Sequence, residues 1–404
     1  MAWVRCGPPT AISRGWGPRF VTLSRHRCEV LKDIMSQKIG QFRGESFCLE
    51  MLEERHFLSG LPWAPTATVI DQDLAAREYK KITGKGQSVA ILDTGVDYNH
   101  PALGGRWGKT VIGGYDFVDN DNDPMDTNGH GTEVAGMIAA KQFSYDGYKY
   151  RGIAPGAKIV ALRIEDNSDY LPASRVEAAL RWVINHRKQY NITAVNMSFG
   201  DGDYLKRFTR PPYGDELATL KKMGVFITAA SGNDGTSTPG INYPAADTSV
   251  VGVGSVNGDD SISSFTSRAG DLDLLAPGEG VVAPSEEGGR PVYMRGNGTS
   301  YAAPVVAGAA VLLHQANPKL SESQILAILK STASKNWDGD TEYPATYLTY
   351  RRIDLDNAIR VALGRKSQRT RVASRTRPDA PVESPQEKKD LLGIFNVGNR
   401  ISFE

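Results

Sequence analysis

The chain has 404 residues, 40% of them hydrophobic and 23% charged, an ordinary globular balance, and a chain of this length can bury a core without disulfide support. A formal net charge of +1 gives no sign of a nucleic-acid partner or a strongly charged substrate. All three cysteines, Cys6, Cys28 and Cys48, lie before residue 50, so neither a disulfide framework nor a thiol nucleophile is expected beyond that point in the chain.

Residues 1–28 carry Arg5, Arg14, Arg19, Arg25 and Arg27, with no acid before Glu29. No continuous apolar stretch of about 7–15 residues follows them, so no secretory signal is expected. Gly7, Pro8, Pro9, Gly15, Gly17 and Pro18 would interrupt an amphipathic transit helix. The segment reads as a disordered or targeting leader, or as residues ahead of a start at Met35. An intracellular or organellar setting is favoured over secretion. Residues 29–71 mix charged and apolar types and read as a pro-segment or an N-terminal extension. No apolar run of about 18 residues occurs, so no membrane-spanning helix is expected.

Regular patterning begins near Gln87. The short apolar run 88–92, bounded by Gly84 and Gly86 before it and Asp93-Thr94-Gly95 after it, predicts a buried strand ending in a turn. Further strands are expected at 158–164, 193–198, 224–230 and 249–254. Helices are expected at 173–188, where Val176, Ala179, Leu180, Val183 and Ile184 recur at helical spacing, and at 217–223, 301–315 and 322–331. Strands alternating with helices predict a mostly parallel sheet covered on both faces. Such sheets place their sites at the carboxyl ends of the strands. After Gly364 the chain turns basic and then Pro-containing, and 363–404 is expected to be a disordered tail.

Three stretches carry the chemistry. Asp93-Thr94-Gly95-Val96-Asp97 follows a predicted strand, Asn128-Gly129-His130-Gly131-Thr132 opens a small-residue helix, and Gly298-Thr299-Ser300-Tyr301-Ala302-Ala303-Pro304 opens another. Singly, each has a plain structural explanation: a turn former, a loop histidine, a helix cap. Together they supply an acid, a base and a nucleophile at element boundaries. A serine hydroxyl needs a base to take its proton, and that base needs a partner to fix its tautomer. The chain order Asp, His, Ser is one of the known arrangements.

On these three motifs, DTGVD, NGHGT and GTSYAAP, the chain resembles the subtilase family of serine peptidases, over about residues 72–362. The resemblance implies a three-layer α/β/α subtilisin-like domain with a mostly parallel central sheet. It also implies Ser300 as nucleophile, His130 as general base and then acid, and Asp93 as the group that orients His130. Asn233, after the strand GVFITAA, is either a turn residue or an oxyanion donor beside the Ser300 backbone N–H. By the same resemblance Ser198, Phe199 and Gly200 form one wall of the substrate cleft, and Ala230, Ser231 and Gly232 the other. The small residues there would leave room for a sizeable apolar P1 side chain.

A metal is a separate matter. Asp116, Asp119, Asp121, Asp123 and Asp126 crowd the stretch before His130, and alternating acids offer the oxygen ligands calcium prefers. The run is similar to a calcium loop of thermitase-like subtilases, which makes Asp116, Asp121 and Asp123 candidate ligands for a structural calcium; the alternative is a solvated acidic turn. Three positions depart from the family pattern: Ala102 where many relatives have an acid, Glu133 where His or Ala is common, and Tyr301 where Met is usual. The expectation is a monomeric serine endopeptidase acting on protein or peptide substrates, with no cofactor in catalysis. A catalytically dead binding protein and a peptide ligase on the same scaffold are the rivals.

Overall fold

The structure, a computed structural model, describes residues 3–6, 20–23, 79, 81–166, 168, 170–209, 213–236, 239–339 and 346–367. The expectations for a pro-segment at 29–71, for a tail beyond 367, and for most of the leader at 1–28 lie outside the described residues. Two units are distinguished, 1–61 and 62–404. In the first, β1 (Trp3–Cys6) and β2 (Phe20–Leu23) pair in parallel.

The second unit begins with β3 (Ser88–Asp93), β4 (Val111–Asp116) and α1 (His130–Ala139). A hairpin, β5 (Phe143–Tyr145) and β6 (Tyr148–Tyr150), leads to β7 (Lys158–Arg163), α2 (Ala173–Tyr190) and β8 (Ile192–Met197). Next come β9 (Asp201–Tyr204), α3 (Gly214–Lys222), β10 (Phe226–Ala230), β11 (Ile241–Tyr243), β12 (Val251–Val256) and β13 (Leu274–Pro277). A second hairpin, β14 (Val281–Glu287) and β15 (Arg290–Gly296), precedes α4 (Thr299–Ala316) and α5 (Glu322–Thr332). The last elements are β16 (Ser334–Trp337), β17 (Thr349–Arg352) and α6 (Leu355–Ala362).

Nine strands form one sheet in the order β16-β17-β13-β12-β10-β8-β3-β7-β4, parallel except for the β16–β17 pair. Side-chain alternation along the strands separates the layers. Val89 and Ile91 of β3 and Ile159 and Ala161 of β7 join a core with Val134 and Ile138 of α1, Val305 and Leu312 of α4, and Ile359 of α6. Ala90, Leu92, Val160 and Leu162 face the opposite way, onto Val176, Leu180 and Val183 of α2 and Leu217 and Leu220 of α3. Because these strands bury both faces, they read as continuous apolar runs. The result is the expected three-layer α/β/α arrangement.

Several elements have no clear signal in the sequence. β4 (VIGGYD) is broken by Gly113 and Gly114, and β13 is only four residues long. The β14–β15 hairpin lies outside the main sheet, and the β15 strand has no buried residue to give it a period. Gly113 and Gly114 are required by crowding: a Cβ would lie 2.4 Å from Tyr190 Cε1 at the first and 2.0 Å from Ala161 O at the second.

Candidate active site

The chain enters the sheet at β3, places β4 and β7 on one side of it, and then crosses to put β8 on the other. The intervening helices lie on opposite faces, α1 with one core and α2 with the other. This reversal opens a crevice at the carboxyl end of β3, and Asp93 is the last residue of that strand.

The Asp93 side chain is 1% exposed. Its Oδ1 accepts from Thr94 N at 2.9 Å and meets His130 Nδ1 at 2.7 Å. That contact assigns the Nδ1 proton to the Asp93 side and leaves Nε2 as the basic nitrogen. His130 begins α1 behind Gly129, whose φ of 105° is a left-handed conformation suited to glycine. Burial works against a charged imidazole here, but the charge and hydrogen bond of Asp93 outweigh it. With Glu165 and Glu133 adding to the attraction, the His130 pKa stands at about 9.

Asp126 holds this loop in place. Its Oδ1 accepts from Thr94 Oγ1 at 3.0 Å, Asn128 N at 2.9 Å and Gly129 N at 3.0 Å. Its Oδ2 accepts from Thr132 N at 2.9 Å and Thr132 Oγ1 at 2.6 Å. Thr94 Oγ1 in turn accepts from Gly131 N at 2.9 Å. The Asp motif and the His motif are thus joined through one buried carboxylate, which the sequence offered only as one acid among five.

Ser300 is the second residue of α4, 9% exposed. A Cβ on Gly298 would lie 2.8 Å from its Oγ, so glycine there keeps the hydroxyl clear. Pro304 has no N–H to return to the Ser300 carbonyl. Ser198 Oγ donates to that carbonyl instead, at 2.7 Å, and accepts from Asn196 Nδ2 at 2.9 Å.

Asn233 Oδ1 accepts from Thr299 N at 2.9 Å and Thr299 Oγ1 at 3.0 Å. A main-chain donor leaves no choice about which amide atom is the oxygen. The Nδ2 group therefore points away from Thr299 N, and it lies 3.6 Å from where a Gly298 Cβ would be, beside the Ser300 hydroxyl. Thr94, Asn128, His130, Glu165, Asp166, Ser168, Ser198, Asn233 and Ser300 line one open cleft of about 410 Å³. His130 and Ser300 share the cleft without a hydrogen bond between them in the free chain. Such bonds are often long before substrate binds.

The two expected cleft walls lie at the carboxyl ends of β8 and β10. Ser198 lines the cleft, and Phe199 is half-buried against the α2 side of the sheet. Ala230 and Ser231 are buried, and the Ser231 carbonyl accepts from Asn242 N at 2.8 Å. On the side where a Cβ would project, Gly200 and Gly232 both pack against Asn242. A Cβ at Gly200 would lie 2.7 Å from Asn242 Cβ, and one at Gly232, where φ is +109°, 2.2 Å from Asn242 Oδ1. Asn242, 7% exposed, is a polar neighbour of both glycines.

The candidate calcium ligands are engaged by other groups of the protein. Asp116 Oδ1 accepts from Val118 N at 2.7 Å and Asp119 N at 3.0 Å, while its Oδ2 pairs with Arg163 Nη1 at 2.6 Å. The same nitrogen reaches Asp119 Oδ2 at 2.6 Å. Asp121 Oδ1 accepts from Asp123 N at 2.8 Å, and Asp123 Oδ1 from the Tyr98 hydroxyl at 2.7 Å. Among the described residues no group of three His, Cys, Asp or Glu is arranged to hold a metal ion. As placed, Asp116, Asp121 and Asp123 do not fit a calcium cage, because a guanidinium already neutralises the buried member.

Glu165 was missed by sequence reasoning. Its N–H approaches the Asp93 carbonyl at 3.3 Å, just beyond the end of β7, and the residue lines the cleft. Burial and the nearby Asp93 charge push its pKa up to about 7, against the pull of His130. The signal was available: an acid at the carboxyl end of a strand next to the one that ends in Asp93.

The profile of the subtilase family matches residues 84–359. The chain is 36% identical over 274 residues to a thermophilic serine proteinase of Bacillus sp. (strain AK1), an alignment covering 68% of this chain and 62% of that protein, so it spans less than two thirds of that relative's length. It is 31% identical over 342 residues to subtilisin E of Bacillus subtilis (strain 168), covering 78% and 83%. It is 36% identical over 254 residues to thermitase of Thermoactinomyces vulgaris, covering 62% and 82%. Among solved structures it is similar to a cold adapted subtilisin-like serine proteinase, with 34% identity, a TM-score of 0.53 and coverage of 67% of this chain and 90% of that one.

Proposed function

The chain belongs to the subtilase family of serine peptidases, and from that premise we propose that it hydrolyses internal peptide bonds through an acyl-enzyme on Ser300. The observation that carries the reading is the Asp93–His130 bond at 2.7 Å, with His130 lining the same cleft as Ser300 and Asn233. Ser300 Oγ attacks the scissile carbonyl carbon as its proton passes to His130 Nε2. The carbonyl oxygen takes up the electron pair beside Asn233 Nδ2 and the Ser300 N–H, at the positive end of α4. Collapse expels the amine, which leaves with the proton held by His130. Water then repeats the sequence on the ester and releases the acid. Each step draws on these side chains, and none is routed through a metal.

Substrates of this reading are proteins or peptides bound in extended form across the cleft, and the acting species is proposed to be the monomer. Among the described residues no helix is long and apolar enough to cross a membrane. The test is labelling with a fluorophosphonate, combined with product masses from a peptide substrate. Labelling and hydrolysis are expected in the natural chain, and both should vanish in Ser300→Ala. The loss in turnover should reach about a millionfold, the scale on which such triads fail. An unlabelled natural chain would leave a binding protein as the reading, and ligated products would point to a ligase.

A further inference from the structure

Two departures from the family pattern, Glu133 and Tyr301, touch each other. The Tyr301 hydroxyl donates to Glu133 Oε2, and Ser285 Oγ donates to Glu133 Oε1 at 2.7 Å. Glu133 lies one turn after His130 on α1, and Tyr301 directly follows Ser300 on α4. Both are buried, at 8% and 9% exposure. We propose that Glu133 and Tyr301 are positioning residues, a strut that ties the helix carrying the base to the helix carrying the nucleophile.

The packing around the strut is tight. A Cβ on Gly296 would lie 2.2 Å from Tyr301 Cζ, so β15 closes directly over the ring. The ring also meets the His130 imidazole edge-on, with centroids 6.1 Å apart and planes at 71°. Gly129, the N-cap residue just before α1, is pressed against Ser285, where a Cβ would lie 2.7 Å from Oγ. A shift of α1 against α4 therefore breaks the Tyr301–Glu133 bond and disturbs the ring contact together.

Stability alone does not account for this pair. Both Glu133 oxygens are taken by hydroxyl donors rather than by a cation, and a buried charge held this way is expensive to desolvate. An apolar pair would fill the same space at less cost. What the carboxylate adds is an electrostatic attraction that favours the cationic form His130 takes up during proton transfer. The charged and titratable groups facing His130 are Asp93 from β3, Glu165 beyond β7, Glu133 from its own helix and Tyr301 from α4, with Asp166 on the same cleft. Burial and Glu133 push the Tyr301 phenol well above its ordinary range, so it stays a donor.

This inference rests on the acyl-transfer reading, and its test separates the two. Tyr301→Phe, Glu133→Gln and the double variant are compared with the natural chain in kcat, KM, pH profile and melting. Each single variant is expected to lower kcat by about tenfold, through misplacement of the reacting groups, with KM within about twofold. The double variant should lose no more than the worse single, because both remove one contact. Glu133→Gln should also move the acidic limb of kcat/KM to lower pH, while Tyr301→Phe, which keeps the carboxylate, should leave it in place. A kcat within about twofold of the natural value in both singles, an unmoved limb in Glu133→Gln, or losses that merely follow melting would overturn the strut. Should Glu133→Gln not fold, Tyr301→Phe, which removes one oxygen, carries the test through its kcat and KM. A natural chain without turnover would sink the acyl-transfer reading itself; an active one with unaffected variants sinks only the strut.

Discussion

Ser198 Oγ donates to the main-chain carbonyl of Ser300 at 2.7 Å, the carbonyl that Pro304 leaves without its helical donor. A residue expected to form part of a substrate wall thus also anchors the backbone of the proposed nucleophile. Deleting it strands a buried acceptor, which costs about 1–3 kcal/mol.

Ser198→Ala is therefore expected to lower stability by about that amount, along with kcat, as read by denaturant midpoint and steady-state kinetics. Pro304→Ala restores an N–H at the position that can reach the Ser300 carbonyl. The double variant should recover part of the loss, although Asn196 Nδ2 still lacks its partner. Strictly additive effects would show that the two residues do not share that carbonyl.

Asn233→Ala removes the side-chain donor while leaving the Asp93–His130 bond untouched. Its kcat should fall by about 10²–10³-fold, with KM little changed, because the bond forms only as charge develops on the oxygen. A large rise in KM at constant kcat would mean instead that Asn233 binds the substrate in its ground state.

The pH profile has a definite sign. His130 must be neutral to act as base, and its pKa is raised to about 9. Activity should accordingly keep rising past neutral pH, as pH approaches about 9. The same shift affects stability in the opposite sense. A folded pKa above the unfolded value near 6.5 contributes stability that is full below about 6.5 and is lost as pH rises through about 9. Titration of the His130 ring by NMR checks both, and a pKa near or below the ordinary histidine value would contradict the electrostatic account.

Asn242 sits against both Gly200 and Gly232. Asn242→Gly should empty that space and raise kcat/KM for peptides with a large apolar P1 residue relative to those with a small one. A peptide library profiled with both proteins measures the ratio. An unchanged preference would place the P1 side chain elsewhere.

The proposed chemistry was legible in the sequence alone, since each candidate catalytic group sits in a short contiguous motif at the boundary of a helix or strand. The sequence also revealed the sheet's central strands, because strands buried on both faces cannot alternate and so stand out as unbroken apolar stretches. Only the tertiary structure decided what depends on residues remote in the chain. Arg163 takes the charge of Asp116 at 2.6 Å, from 47 positions away. Asn242 fills the space beside two glycines, and Glu133 meets Tyr301 across 168 positions. A motif is local because its backbone carries it. A side chain's partner is fixed only when helices and strands pack, and no periodicity in the sequence encodes that meeting.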